Sequence, residues 1–450
     1  MEADRYNTCE NPQTQFVRWF REVAPYVHAF RGKTFVIAFD GDLIQYGALN
    51  TLVQDLSLLS ALGIKLVLVH GSRPQVNDQL KLKGIYKIFD RGLMAPTDAA
   101  ALECAKEAAG EIRLDIEASF SQGLPNTPMS HSKIKVISGN FVTARPVGVL
   151  DGVDFLHTGK VRKIDVEAIN FAIEKVSSVV LLSPLGFSPT GDAFHLALEE
   201  LATSTAVALR AEKLIFLSNS NGVPNDDGSI DTELARADAD VLIKSNNLDG
   251  ETCEFLKYAS LAVKKGVARA HILSYSLDGS VLLEIFTHDG VGTMVVEDNL
   301  DDLRPATIDD VGAIISLIEP LETDGTLVPR PKSLIERDLE KFTVLEHDGV
   351  IYGCAALYMF PNEQMAELAC LIVHPEWQST GEGELLLRHI ESRAKSFGAR
   401  RIFALTTKTS HWFLKRGFVQ CGIQDLPKEK QTSYNRSRNS LIFIKNIKHD

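Results

Sequence analysis

What the 450-residue sequence lacks narrows its chemistry first. Cysteine is scarce. The six thiols (Cys9, Cys104, Cys253, Cys354, Cys370 and Cys421) lie far apart and form no CxxC pair, so their spacing excludes a zinc ribbon or a disulfide scaffold. An excess of basic charge is missing too: 47 Lys and Arg stand against 59 Asp and Glu, a net charge of −12. That balance disfavours a sequence-independent grip on nucleic-acid phosphates. No apolar run approaches the ~18 residues that cross a bilayer, and the start, Met1–Glu10, has neither the basic residues nor the apolar stretch of a secretory signal. Neither the Gly-x-x-x-x-Gly-Lys-Ser/Thr phosphate loop nor the Gly-x-Gly-x-x-Gly dinucleotide fingerprint occurs. What is present, 45% hydrophobic and 24% charged residues, suits a folded chain of two or three domains. The expectation is a cytoplasmic enzyme or regulated assembly, without metal, membrane or nucleic acid.

The first part reads as strands alternating with helices. Thr34–Phe39 and Ile64–Val69 are short apolar runs around the amphipathic stretch Leu49–Leu62, which makes a βαβ unit and a parallel sheet buried on both faces. The pattern recurs at Val179–Leu182, Leu198–Leu209 and Lys213–Leu217. Lys133–Ile137 and Phe141–Ala144 read as a hairpin around Gly139-Asn140. After Thr293–Glu297 the acidic stretch Asp298–Asp302 breaks the pattern, which places the boundary between 1–297 and 298–450. The second part predicts a helix over Ile308–Ile318 and a hairpin over Thr343–Tyr358 turning at Asp348-Gly349. It continues with a strand Glu367–Val373, a helix from about Gly383 to Phe397, and strands Arg401–Thr406 and Leu441–Lys445. Antiparallel pairing dominates there, as in an α+β domain.

The most specific motif follows the strand at Glu367–Val373. The chain passes through His374-Pro375-Glu376-Trp377 into Gln378-Ser379-Thr380-Gly381-Glu382-Gly383-Glu384, where a helix begins. Such a turn presents backbone N–H groups at a helix N-terminus without side chains in the way, an anion site suited to a pyrophosphate.

This second part resembles the GCN5-related N-acetyltransferase family, whose pyrophosphate loop has the form Gln/Arg-x-x-Gly-x-Gly/Ala. The resemblance implies acetyl-CoA as cosubstrate, with Gln378, Ser379, Gly381, Glu382, Gly383 and Glu384 at its pyrophosphate and Leu371 and Val373 pairing with its pantetheine. His411–Phe418 resembles the family's late helix end, but the tyrosine many members use as general acid is Phe413 here. Glu367 is the candidate base for a reaction that needs a neutral amine. A backbone N–H near Cys370 or Leu371 is a candidate for polarising the thioester carbonyl, and Thr406 is a candidate proton relay in place of the tyrosine.

Over nearly its whole length the chain resembles the classical bacterial N-acetylglutamate synthase family, an amino-acid-kinase-like αβα sandwich with a mostly parallel sheet followed by the α+β acetyltransferase domain. Segments such as Arg31–Ile37, His70–Val76, Ser138–Phe141, Ala211–Ile215, Asn225–Gly228, His271–Tyr275, Ala366–Cys370 and Leu405–Thr407 carry the match. The implied reaction is acetyl transfer from acetyl-CoA to L-glutamate, the first step of arginine biosynthesis. Its two carboxylates call for bidentate arginines: Arg330 and Arg438, with Arg436 an alternative to the latter, and Phe413 beside them. The kinase-like part is expected to have lost phosphotransfer. Ala38 and Asp40-Gly41 stand where kinases of this fold carry a lysine and a Gly-Gly pair, and Glu199 stands at the active-site aspartate. What the resemblance retains is an L-arginine feedback signature: His271, Glu284, Gly290 and Gly292, with Lys213 for the α-carboxylate. It also includes Tyr26 from a helix at about 12–30 that pairs subunits, which implies a homo-oligomer, a hexamer by family. A non-catalytic arginine sensor, a bifunctional synthase/kinase and a protein-lysine acetyltransferase remain rival readings.

Overall fold

The computed structural model describes residues 12–85, 95–123, 134–176, 178–225, 228–245, 248–287, 290–297, 301–347, 349–378, 382–436 and 438–447. Ser379 and Gly381 of the expected pyrophosphate loop, Asp226 and Asp227, Lys133, Asp348 and the break at Asp298–Leu300 therefore lie outside the described residues. The chain divides into two compact units, Met1–Asn299 and Leu300–Asp450.

In the first unit, apolar runs too short for helices form the centre of an eight-stranded sheet. Its order is Glu233–Ala235, Thr293–Val296, Arg269–Ser274, Lys213–Ser218, Thr34–Phe39, Lys65–His70, Ser178–Leu182, Lys135–Ser138. Every neighbouring pair is parallel except Arg269–Ser274 with Thr293–Val296. Continuous hydrophobicity is what a sheet covered on both sides requires. Alternate residues divide between two cores: Val36 and Ala38 join Leu201, Phe216 and Phe255 on one face, while Phe35, Ile37 and Phe39 join Leu52, Leu56 and Phe120 on the other. The helix Leu198–Leu209 has the expected ends.

The expected hairpin around Gly139-Asn140 does not form. Lys135–Ser138 pairs in parallel with Ser178–Leu182, and Val142–Pro146 leaves for a second, four-stranded sheet, where it pairs antiparallel with Gly159–Ile164. The turn signal was sound, but turn residues do not say which strand will satisfy the backbone on either side. Here the edge of Ser178–Leu182 supplied the partner instead.

The second unit is a seven-stranded sheet. Its order is Asp301–Pro305, Phe342–His347, Val350–Phe360, Met365–Val373, Arg401–Thr406, Leu441–Asn446, Val419–Cys421. Only Met365–Val373 and Arg401–Thr406 run parallel. One face is covered by the helix Glu382–Ser396 through Leu386, Leu387 and Ile390. The other is covered by Val311–Thr323 through Ile314, Leu317 and Ile318. The latter helix starts after a short 3-10 turn, Ile308–Asp310, and runs past the expected end at Ile318. Thr307 and Asp310 form a capping box there, and Arg304 grips Asp310 through both guanidinium nitrogens, at 2.6 and 2.9 Å.

Candidate functional sites

The parallel pair in the second unit is incomplete, and that gap builds the site. Met365 pairs with Arg401 and Leu368 with Ala404, but the ladder stops there, although the strands continue to Val373 and Thr406. At the same place Cys370 takes a left-handed backbone, φ +50, and the register against Val350–Phe360 slips between Cys354 and Ala356. A bulge of this kind bends a strand and ends pairing. Beyond it the strands diverge, and Leu371 and Val373 turn toward a cleft of about 660 Å3. Gln378, Glu382, Gly383, Glu384 and Phe413 line the same cleft, so the described cofactor candidates come together.

Gln378 and Gly383, on either side of the loop, are each held by a neighbour. Gln378 donates from Nε2 to the Val373 carbonyl at 2.8 Å, tying loop to strand end. A Cβ on Gly383 would lie 3.3 Å from the Trp412 ring, so that ring packs against the first turn of the helix. Glu384, a carboxylate at an expected anion site, is neutralised by Arg388 at 2.6 Å and Arg416 at 3.6 Å. Those bonds hold it below the usual carboxylate range. Glu382, the other carboxylate of the first turn, lines the same cleft.

The opposite face carries the acceptor-side candidates. Glu367 is 7% exposed and forms an ion pair with Lys430 at 2.7 Å. It is a buried carboxylate, not a solvated strand end. Arg330 is close enough to Cys354, Tyr358 and Cys370 for its charge to act on all three. Burial nevertheless pushes the Cys370 thiol up to about 11, which keeps it protonated and leaves its backbone as the useful part. Arg438 donates to the carbonyls of Gly325 and Thr326, and so holds the turn that leads to Arg330. Arg436 is exposed. Phe413 does not join this group. It packs against Phe418 and Phe443 in the core on the cleft side of the sheet, away from the core that contains Cys370. Aromatic bulk at a helix end filled the core, and its proposed place beside the arginines is corrected to a wall of the cleft.

Thr406 ends its strand with its side chain turned into the connection that follows. Its oxygen accepts from the N–H of Lys408 at 3.3 Å and of Thr409 at 3.1 Å, and it lies 2.8 Å from the Thr409 hydroxyl.

The first unit gathers the other six candidates around one buried chain of contacts. The Lys213 ammonium, which can only donate, lies 3.1 Å from His271 Nε2. Nε2 therefore accepts, and the proton sits on Nδ1, which donates to Glu284 Oε1 at 2.7 Å. Glu284 Oε2 accepts from the N–H of Val291 at 2.7 Å and of Gly292 at 3.2 Å. Burial holds His271 down to about 4, with Lys213 adding to the effect. Burial alone would raise Glu284, but the His271 and backbone hydrogen bonds bring it below the usual range. Both glycines are required: a Cβ on Gly290 (φ +61) would lie 2.6 Å from Glu284 Oε2, and one on Gly292 would lie 2.3 Å from the Ile272 carbonyl. Lys213 also stands 5.1 Å above the Phe30 ring, on which Tyr26 stacks at 6.3 Å.

Comparison with known proteins agrees with both halves. The model of the amino acid kinase family matches residues 33–274, and that of the acetyltransferase (GNAT) family matches 313–418. The amino-acid acetyltransferase of Ralstonia nicotianae is 55% identical over 97% of this chain and 96% of its own. The chain belongs to the amino-acid acetyltransferase family, the N-acetylglutamate synthases. Two crystal structures of N-acetylglutamate synthase from Neisseria gonorrhoeae are also similar. The one complexed with coenzyme A and L-arginine has a TM-score of 0.87 at 38% identity, covering 96% of this chain and 100% of that one. The one with coenzyme A and N-acetyl-glutamate has 0.61 at 39%, with the same coverage. The chain is thus an acetyltransferase whose first unit has the amino-acid-kinase fold.

Membership in this family gives meaning to a third cluster, at the ends of the strands Thr34–Phe39 and Lys65–His70. Arg73 stands 3.6 Å from Asp40 and 3.2 Å from Glu199, both almost fully buried. His70 and His195, both pushed down to about 4 by burial, lie close to them. An internal cation thus pairs with both buried carboxylates at these strand ends. Among the residues the sequence reading missed, Thr409, His411, Trp412, Lys415 and Arg416 line the acetyltransferase cleft. Four of these five lie in His411–Phe418, a segment that carries the family resemblance, but the resemblance does not say which of its side chains reach the cleft.

Proposed function

We propose that the chain transfers the acetyl group of acetyl-CoA to the α-amino group of L-glutamate, giving N-acetyl-L-glutamate and CoA, as the first step of arginine biosynthesis in the cytoplasm. The observation that carries this reading is the divergence of the two parallel strands beside the start of the helix Glu382–Ser396, with a buried carboxylate and an arginine on the other face. The strand edge at Leu371 and Val373, beyond the last pairing of the two parallel strands, suits the amides of pantetheine, and the Gln378–Glu384 loop suits the pyrophosphate. Arg330 and Arg438 suit the two carboxylates of glutamate. Glu367 takes the proton from the ammonium group, directly or through water, and Lys430 holds that carboxylate in place. The backbone N–H at the Cys370 bulge polarises the thioester carbonyl as the amine attacks. The departing sulfur gains its proton through the hydroxyls at Thr406.

L-arginine is proposed as feedback inhibitor at the Lys213–His271–Glu284 cluster, its guanidinium on Glu284 and its carboxylate near Lys213, with Tyr26 closing over it. The gonococcal enzyme's complex with L-arginine supports this. The domains are assigned as 1–297 for sensing, inactive in phosphotransfer, and 298–450 for catalysis. The exposed Phe16, Trp19 and Phe20 on the helix Pro12–Phe30 suit subunit pairing within a hexamer.

Thiol release from acetyl-CoA, measured with a panel of amino acids, tests the reading. Glutamate should be preferred by at least about tenfold over aspartate and glutamine, since each change removes or displaces one carboxylate–arginine contact. Equal rates across the panel would overturn it.

A further inference from the structure

We infer that Thr409, rather than Thr406, delivers the proton to the departing CoA sulfur, and that Thr406 is the residue that aims it. This deepens the acetyl-transfer reading and depends on that chemistry, but not on glutamate being the acceptor.

Hydrogen-bond arithmetic fixes the direction of the pair. A threonine hydroxyl has two acceptor lone pairs and one proton to give. The Thr406 oxygen receives two backbone N–H groups, from Lys408 and Thr409, at 3.3 and 3.1 Å. Both lone pairs are thereby used. Its remaining capacity is its own proton, which the Thr409 hydroxyl 2.8 Å away accepts. That contact leaves the Thr409 proton free to point elsewhere. Thr406 is buried, whereas Thr409 is exposed and lines the cleft with Leu371 and Val373. Its backbone is fixed as well, because its carbonyl accepts from the N–H of Trp412 and of Phe413 at the start of the helix Ser410–Lys415. The family's tyrosine hydroxyl is absent at Phe413, and the Thr406–Thr409 pair offers a hydroxyl in the same cleft.

The step balances. The carbon–sulfur bond of the tetrahedral adduct breaks with its electron pair on sulfur. Sulfur takes the Thr409 proton as a water at the exposed rim reprotonates Thr409, so no alkoxide accumulates. The proton lost by the attacking amine on the other face neutralises the hydroxide left in water.

Thr409→Val keeps the shape and removes the hydroxyl, and Thr409→Ser keeps the hydroxyl. With whichever amino acid the wild type acetylates, Thr409→Val should lower kcat about 10- to 100-fold, leave the KM for acetyl-CoA within about twofold, and be rescued by Thr409→Ser. Thr406→Val should lose less, because it loosens the aim without removing the donor. A Thr409→Val enzyme with wild-type kcat, or one in which Thr406→Val is the more damaging change, overturns the inference. A wild type that transfers acetyl to no amino acid at all would instead overturn the reading beneath it.

Discussion

The cleft of the second unit and the strand ends of the first carry the same kinds of groups, arranged to opposite effect. In the cleft, Met365–Val373 and Arg401–Thr406 no longer pair with each other beyond Leu368 and Ala404, and the first turn of the helix Glu382–Ser396 lines the opening. At the kinase-like strand ends, Arg73 reaches both Asp40 and Glu199, so carboxylates that could have met a ligand meet a neighbour instead. The cleft keeps hydrogen-bonding capacity open toward solvent, whereas the strand-end carboxylates are satisfied from within the chain. The arginine-signature cluster lies between these extremes. Glu284 is already held by His271 and two N–H groups, which makes it a rigid anchor.

The largest effect expected concerns the open site. Glu367→Gln should reduce kcat at least about 100-fold, the usual contribution of a positioned base. A kcat within about twofold of the unaltered enzyme would remove Glu367 from proton transfer.

The closed site should answer in stability instead. Arg73→Met leaves Asp40 and Glu199 buried without their cation, and should cost about 3–5 kcal/mol in denaturant unfolding of the first unit while ATP still fails to react. A neutral result would mean that the triad contributes nothing to the fold.

Acid should act on the same unit through its buried histidines. His70, His195 and His271 all sit at about 4, depressed chiefly by burial, against an ordinary value of 6.5. Between those values the unfolded chain takes up protons that the folded one refuses, so stability should fall as pH drops from about 6.5 toward 4. A thermal midpoint that stayed flat over that window would show that the histidines are not held neutral.

The smallest effect belongs to the cluster between the extremes. Glu284→Ala should raise the arginine concentration for half-inhibition by about tenfold or more, relative to the same variant's uninhibited rate, consistent with losing one charge-assisted contact. Unchanged inhibition would move the arginine site elsewhere.

Much of this was legible in the residues. Periodicity located Leu198–Leu209 and Arg401–Thr406 to the residue, because each is a continuous pattern that local sequence determines. The start of a helix after the loop at Gln378 was legible too, since the helix begins at Glu382, one residue from the expected Gly383. Partner choice was not legible: Gly139-Asn140 announces a turn, but whether Lys135–Ser138 pairs with the next strand or with Ser178–Leu182 depends on residues forty positions away. Nor could sequence tell that Phe413 would fill a core, that Lys430 would reach Glu367, or that Thr409 would receive a hydrogen bond from Thr406. Each of these is a contact made only when the sheet closes. The six residues of the arginine signature came through family resemblance, and no local pattern joins Tyr26 to Glu284.

Calorimetric titration of one sample, first with CoA and then with ATP, tests the contrast most directly. The account predicts saturable binding of CoA at one site per chain and no heat from ATP. Binding of ATP, or no binding of CoA, would contradict it.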